Sequence, residues 1–254
     1  MNQLFWVAFL DKHGGQWQNW KYWTTQKSEV LISRLITSNP RFNRIYIHPK
    51  QEDHNQDTMN QAAKIPVRTE LKAIVNKLSS ESIENQSNYI FKTLTSSEKY
   101  HKSSRIGVYL SMPTEVQTYS IIKHILENGK ECFIPRYNPQ VMVMVKLHSM
   151  EDYEALPKNK WNIKQPLESE IREDSTTQGG LDLILVPGLG FTERGERLGR
   201  GKGYYDKFLH NMNQLRKQNG KQLYTIGLAF KEQVRAQIPT THLDYNLNEI
   251  LYQK

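Results

Sequence analysis

With a single cysteine, Cys132, the chain can form no intrachain disulfide, and its stability must come from a core rather than from covalent staples. That usage suits a reducing compartment. Cys132 stands in the strand-like run Glu131-Cys132-Phe133-Ile134, where a buried, inert thiol is expected rather than a nucleophile. No apolar stretch approaches the roughly 20 residues of a membrane helix, so no membrane partner is expected. The run Leu4-Phe5-Trp6-Val7-Ala8-Phe9-Leu10 lacks a preceding basic residue and a small-residue cleavage site, which argues against a secretory signal. The chain also lacks the aromatic-basic stacking motif of a known RNA module.

What the chain has in excess is positive charge, a formal +8 over 254 residues. Such a balance suits acidic partners such as nucleic acid, membrane phosphate or a polyanionic small molecule like ATP, without choosing among them. The length allows one large domain or two small ones. Residues 1–58 differ from the rest: Trp6, Trp17, Trp20 and Trp23 lie among Gln, Asn, His and Lys with no sustained period, and 49–57 reads as a polar linker. They are expected to be a poorly ordered extension, with Met59 as an authentic or alternative start of a 59–254 core domain. A mitochondrial address is the rival reading, weakened by Asp11, Glu29, Glu52 and Asp53; the default compartment is the cytosol.

The most informative stretch runs from Gly188 to Asp206. It follows Leu183-Ile184-Leu185-Val186-Pro187, short, apolar and bounded by turn residues, which reads as a buried strand. It leads into a segment of helical spacing from Asp206 to about Lys217. A loop between strand and helix lies where open α/β sheets bind ligands. Within it Gly199, Gly201 and Gly203 alternate with Arg200 and Lys202, so backbone N–H groups can approach an anion while two cations extend beside them. A helix starting next adds its positive end. Asp206, close behind the glycines, is the hard oxygen ligand that Mg²⁺ takes beside phosphates. The usual P-loop is excluded, because Lys202 is followed by Gly203 rather than Ser or Thr.

Elsewhere, 61–94 has helical spacing with a break near Ser79-Ser80. Lys64 and Arg68, four residues apart, share a helix face, and Pro66 between them demands a first turn. Residues 105–110 read as a strand, Thr114-Glu115 as the opening of a helix over 116–126, and 131–135 as the next strand, which implies a right-handed parallel crossover. Further strands are expected at 142–146, 223–230 and 249–252. Residues 151–177 read as a polar excursion carrying Trp161. The fold expected is α/β, three layers with a central mainly parallel sheet and helices on both faces.

Pro187-Gly188-Leu189-Gly190-Phe191 followed by Arg197-Leu198-Gly199-Arg200-Gly201-Lys202-Gly203-Tyr204-Tyr205-Asp206 resembles the signature of the 5-formyltetrahydrofolate cyclo-ligases, or methenyltetrahydrofolate synthetases. The likeness extends over Leu110-Ser111-Met112 with Glu115, Phe133-Ile134-Pro135-Arg136-Tyr137, Trp161-Asn162-Ile163 with Gln165-Pro166, and Leu228-Ala229-Phe230-Lys231-Glu232-Gln233. It implies ATP- and Mg²⁺-dependent closure of 5-formyltetrahydrofolate to 5,10-methenyltetrahydrofolate, through phosphorylation of the formyl oxygen. No covalent enzyme nucleophile is needed, so the lack of a Ser/His/Asp or Cys/His arrangement is no objection.

By the same resemblance Lys64, Arg68, Arg197, Leu198, Gly199, Arg200, Gly201, Lys202, Gly203, Tyr204 and Tyr205 bind ATP, with Arg200 and Lys202 acting on the transferring phosphoryl group. Leu110, Glu115, Tyr137 and Trp161 line the folate pocket, to which 200–204 also contribute. Asp206 and Asp244 hold Mg²⁺. The partners are then the folate and ATP, with no nucleic acid, and a monomer is the default. Two rivals stand beside this reading: a catalytically inactive member of the fold that binds RNA or folate, and a phosphotransferase acting on another substrate.

Overall fold

The computed structural model describes residues 3–11, 18–24, 42–48, 52–158 and 163–254, with the first three segments and 52–56 described by backbone alone. Trp161 lies outside these residues. The chain divides into two compact units, Met1–Met59 and Asn60–Lys254. In the first, β1 (Gln3–Asp11) pairs antiparallel with both β2 (Gln18–Thr24) and β3 (Phe42–His48). No strand was expected there, because an unbroken apolar run such as Leu4 to Leu10 carries no period that distinguishes strand from helix.

Helix α1 (Glu52–Val75) starts inside the stretch read as a linker and carries Pro66 in its interior, not in its first turn. The ring removes one backbone hydrogen bond there, and buried Leu71 and Val75 hold the following turns against the core. Helix α2 (Ser80–Thr95) begins where the sequence breaks, with Ser79 Oγ accepting the Ser82 N–H at 3.1 Å. A short α3 (Glu98–Lys102) leads to the sheet.

Six strands form that sheet in the order β11-β10-β7-β4-β5-β6. They are β4 (Arg105–Gly107), β5 (Glu131–Tyr137), β6 (Met142–Leu147), β7 (Leu183–Val186), β10 (Tyr224–Leu228) and β11 (Glu249–Leu251). All neighbours are parallel except β5 and β6, and the helices pack around them as the α/β reading required. All four residues of β7 are 0% exposed, which is why that strand reads as an unbroken apolar run rather than an alternating one. Cys132 in β5 is also fully buried, and burial pushes its thiol far above the ordinary range, so it stays inert.

From β4 the chain steps outward to β5 on one side, whereas β7, β10 and β11 step outward on the other. The order therefore reverses between β4 and β7, and ligands of open α/β sheets bind beyond the carboxyl ends of such a strand pair. After β7 comes a hairpin the sequence reading took for plain loop, β8 (Gly190–Phe191) with β9 (Arg197–Leu198). Helix α6 (Tyr204–Gln218) follows it. Helix α4 (Tyr119–Glu127), behind β4, starts later than the expected 116, and α5 (Met150–Ala155) follows β6.

Candidate active site

Two loops flank the reversal point, 108–118 after β4 and 187–203 after β7. The first stops being sheet after Val108, whose N–H still reaches the Phe133 carbonyl at 2.8 Å. The Tyr109 carbonyl instead accepts the Thr118 hydroxyl at 2.7 Å. The Glu115 N–H donates to the Met112 carbonyl at 3.0 Å, and the Met112 N–H donates to Glu115 Oε2 at 3.1 Å. The Gln117 amide closes the turn by donating to the Met112 and Glu115 carbonyls at 3.0 and 2.6 Å. These local bonds compete with helix formation, so Glu115 sits in a rigid turn and not, as expected, at a helix start.

The carboxylate of Glu115 is 7% exposed. Burial raises its pKa above the ordinary glutamate range, opposed by the Arg200 guanidinium and the Met112 N–H. Its charge partner comes from the second loop: Arg200 Nη2 lies 3.0 Å from Glu115 Oε1. Leu110 is buried within the core on the way into the first loop.

In the second loop Gly201 (φ 106°) and Gly203 (φ 67°) adopt the left-handed region that other residues resist, which turns the segment tightly into α6. Gly203 occupies the N-cap, has no side chain to cap with, and leaves the first N–H groups of a 15-residue helix for an anion. Arg68 Nε donates to the Gly199 carbonyl at 2.9 Å and so reaches the loop from α1. Lys64, on the same face of α1, is 2% exposed and pairs with Asp244 at 2.6 Å. The buried Arg197 pairs with Asp206 at 2.8 Å, and Asp206 Oδ1 also accepts the Tyr245 N–H at 3.2 Å. Arg68 and Lys202 have no acidic partner among the described residues, so the loop carries surplus positive charge.

Both carboxylates expected at a metal are therefore engaged by cations, Asp244 by Lys64 and Asp206 by Arg197. No group of three or more His, Cys, Asp or Glu that could hold a metal occurs among the described residues. The donor set nonetheless fits Mg²⁺, which takes one or two carboxylates and completes its shell with water and phosphate oxygens. Beside Arg197 and Asp244 lies a cavity of ≈ 370 Å³, further lined by Thr240, Thr241 and Tyr245.

Tyr204 and Tyr137 place their rings 5.4 Å apart, and the Tyr204 hydroxyl donates to the Asn138 carbonyl at 3.1 Å. Burial pushes the phenols of Tyr137 and Tyr205 well up, so both remain protonated at neutral pH. The Tyr205 hydroxyl is buried without a well-formed hydrogen bond. Leu198, expected among the nucleotide ligands, is 1% exposed and packs with Leu71, Leu189 and Ile238. Its carbonyl is taken by the Leu189 N–H at 2.8 Å, so it serves the hairpin.

Sequence reasoning missed Gln117, Thr118 and Ser87, which accepts the Gln117 N–H at 3.0 Å. They are common polar residues, and only their convergence on one turn marks them.

The family model for the 5-formyltetrahydrofolate cyclo-ligase family matches residues 60–253. The chain belongs to that family. A 5-formyltetrahydrofolate cyclo-ligase of Mus musculus is 46% identical over 194 residues, covering 76% of this chain and 94% of the relative. A probable 5-formyltetrahydrofolate cyclo-ligase of Caenorhabditis elegans is 36% identical, covering 75% and 92%. Among solved structures, the 5,10-methenyltetrahydrofolate synthetase of Aquifex aeolicus is similar with a TM-score of 0.60 and 26% identity, covering 74% of this chain and 88% of the other. This family member is accordingly an enzyme of the cyclo-ligase class with an α/β fold. No helix among the described residues is long and apolar enough to cross a membrane.

Proposed function

We propose that the chain closes 5-formyltetrahydrofolate to 5,10-methenyltetrahydrofolate, consuming ATP and releasing ADP and phosphate. The observation that carries this reading is the 3.0 Å contact between Arg200 and Glu115, which joins a phosphate-binding loop to a buried carboxylate pocket. A nucleotide γ-phosphate on the loop and a ring system held by Glu115 would meet at that junction. Family membership supports the use of ATP.

The chemical obstacle is the amide-like formyl oxygen, a poor leaving group. Attack of that oxygen on the γ-phosphorus, with ADP leaving, makes it a phosphate ester. N10 of the folate then adds to the activated carbon, and phosphate departs with the oxygen as N10 loses its proton. No side chain forms a bond in this sequence, so the protein's task is alignment and charge.

Arg200 and Lys202 neutralise the transferring group, and the N–H groups of 199–205 cradle it. Arg68 steadies the loop through Gly199 and adds charge. Arg197 and Lys64 orient Asp206 and Asp244, the residues that would hold Mg²⁺. That ion would supply charge neutralisation for the phosphates. Glu115 accepts N–H groups of the pterin. Tyr137 and Tyr204 offer flat faces to its rings, and Trp161 is proposed as a further wall.

Near-ultraviolet absorbance tests the reading directly, because the conjugated methenyl product absorbs there and the substrate does not. The rise should require both ATP and Mg²⁺, stop with EDTA, and fall by at least about a hundredfold in Lys202→Ala with the fold intact. A flat trace from folded wild-type protein that binds ATP would overturn it in favour of another phosphotransferase. Normal turnover by Lys202→Ala would remove Lys202 from the mechanism.

A further inference from the structure

The β8–β9 hairpin has only two residues in each strand, yet it carries Arg197 and leads directly into Gly199–Gly203. A ribbon that short has no stability of its own. Its outer side is held by a strap, residues 230–235. The Arg235 N–H donates to the Phe191 carbonyl at 2.8 Å, and Val234 forms a parallel bridge with Phe191.

At the centre of the strap is Gln233, 2% exposed. Its Nε2 donates to the carbonyls of Gly188 and Leu189 at 2.9 and 3.2 Å, and its Oε1 accepts the Phe230 N–H at 2.9 Å. Those carbonyls belong to the turn between β7 and the hairpin, and Leu189 in turn bonds across to the Leu198 carbonyl. One amide thus fixes the angle at which the whole phosphate loop leaves the sheet. The strap is itself pinned to α2, where Gln86 accepts the Lys231 N–H at 2.9 Å and donates to Glu232 at 3.1 Å.

We infer that Gln233 is a positioning residue for the nucleotide half of the site, setting the placement of Arg200 and Lys202 without touching either substrate. The inference rests on the proposed ATP-dependent reaction for its kinetic consequence. Hydrogen bonding decides the effect of Gln233→Glu, which keeps the shape but turns a donor facing two carbonyls into an acceptor. The loop then shifts while the turn bearing Glu115, built on β4, keeps its own bonds.

The test combines ATP affinity by titration calorimetry with steady-state kinetics on full-length wild-type and Gln233→Glu protein. The Kd and KM for ATP should rise by about tenfold or more, while the KM for 5-formyltetrahydrofolate, whose proposed pocket shares Arg200 and Tyr204 with the loop, rises by a smaller factor. A merely structural role would reduce the active fraction, lowering kcat alone with both KM values unchanged, and that result would overturn the inference. If Gln233→Glu does not fold, Gln233→Asn, whose shorter amide cannot span both carbonyls, carries the same comparison. Should the wild type bind ATP but not cyclise the folate, the proposed reaction fails, and the ratio of ATP Kd values still decides the role of Gln233. Wild-type protein that binds no ATP would refute both.

Discussion

Glu115 is the residue whose chemistry depends most on its surroundings. Burial raises the pKa of this carboxylate, and the Arg200 guanidinium opposes that shift. A pterin that donates N–H groups to Glu115, as proposed above, would compete with Arg200 for that carboxylate, and the ion pair would then couple the two substrates. Glu115→Gln should raise the KM for the folate by about tenfold to a hundredfold, the worth of a charge-assisted hydrogen bond. ATP affinity measured without folate should not fall, because Arg200 loses its competing partner. Equal losses for both substrates would show the pair to be a structural strut.

Among the elements, α1 departs most from its sequence. Its proline was expected to mark a first turn, but the helix begins fourteen residues earlier, at Glu52, and carries Lys64 and Arg68 on either side of Pro66. Helix propensity lost at one position is outweighed by burial of Leu71 and Val75 on the following turns. Pro66→Ala should restore the missing bond and raise the unfolding free energy by about 2 kcal/mol, after allowance for the freer unfolded chain. Chemical denaturation would measure it, and a stability loss would mean that the site needs the proline's geometry. The element boundaries that sequence missed share one cause. Residues 114–118 were read as the opening and first turn of a helix from local pattern, and side-chain bonds invisible in that pattern took their backbone groups instead.

For the sheet as a whole, charge is divided between its two ends. Beyond the carboxyl ends lies the cationic site. At the amino ends of β4 and β5, Arg105 pairs with Glu131 at 2.6 Å and Glu173 at 3.0 Å, and Lys146 bridges the same two carboxylates. Burial alone would raise the pKa of Glu173, but hydrogen bonds from Thr177, Arg105 and Lys146 outweigh it and hold the value at about 2, against an ordinary 4.5. A depressed folded value means that this stabilisation is complete above about 4.5 and is lost as pH falls toward 2. The melting temperature should therefore drop through that window. Glu173→Gln should melt lower at neutral pH and show a shallower acid slope; an unchanged slope would place the acid sensitivity elsewhere.

Local chemistry in the sequence was enough to determine the α/β class, the buried strand Leu183–Val186, the tight glycine-rich loop before α6 and the buried Cys132. Each depends on residues adjacent in the chain, where apolar runs, glycine and charge act through nearest neighbours. The pairing of Arg200 with Glu115, of Lys64 with Asp244 and of Gln233 with the Gly188 turn was decided only by the tertiary structure. Those contacts join residues separated by 85, 180 and 45 positions, brought together by strand order and burial. The same physics buried the Leu198 side chain: a side chain in the hairpin faces wherever the packed hairpin turns it, and here it turns toward Leu71.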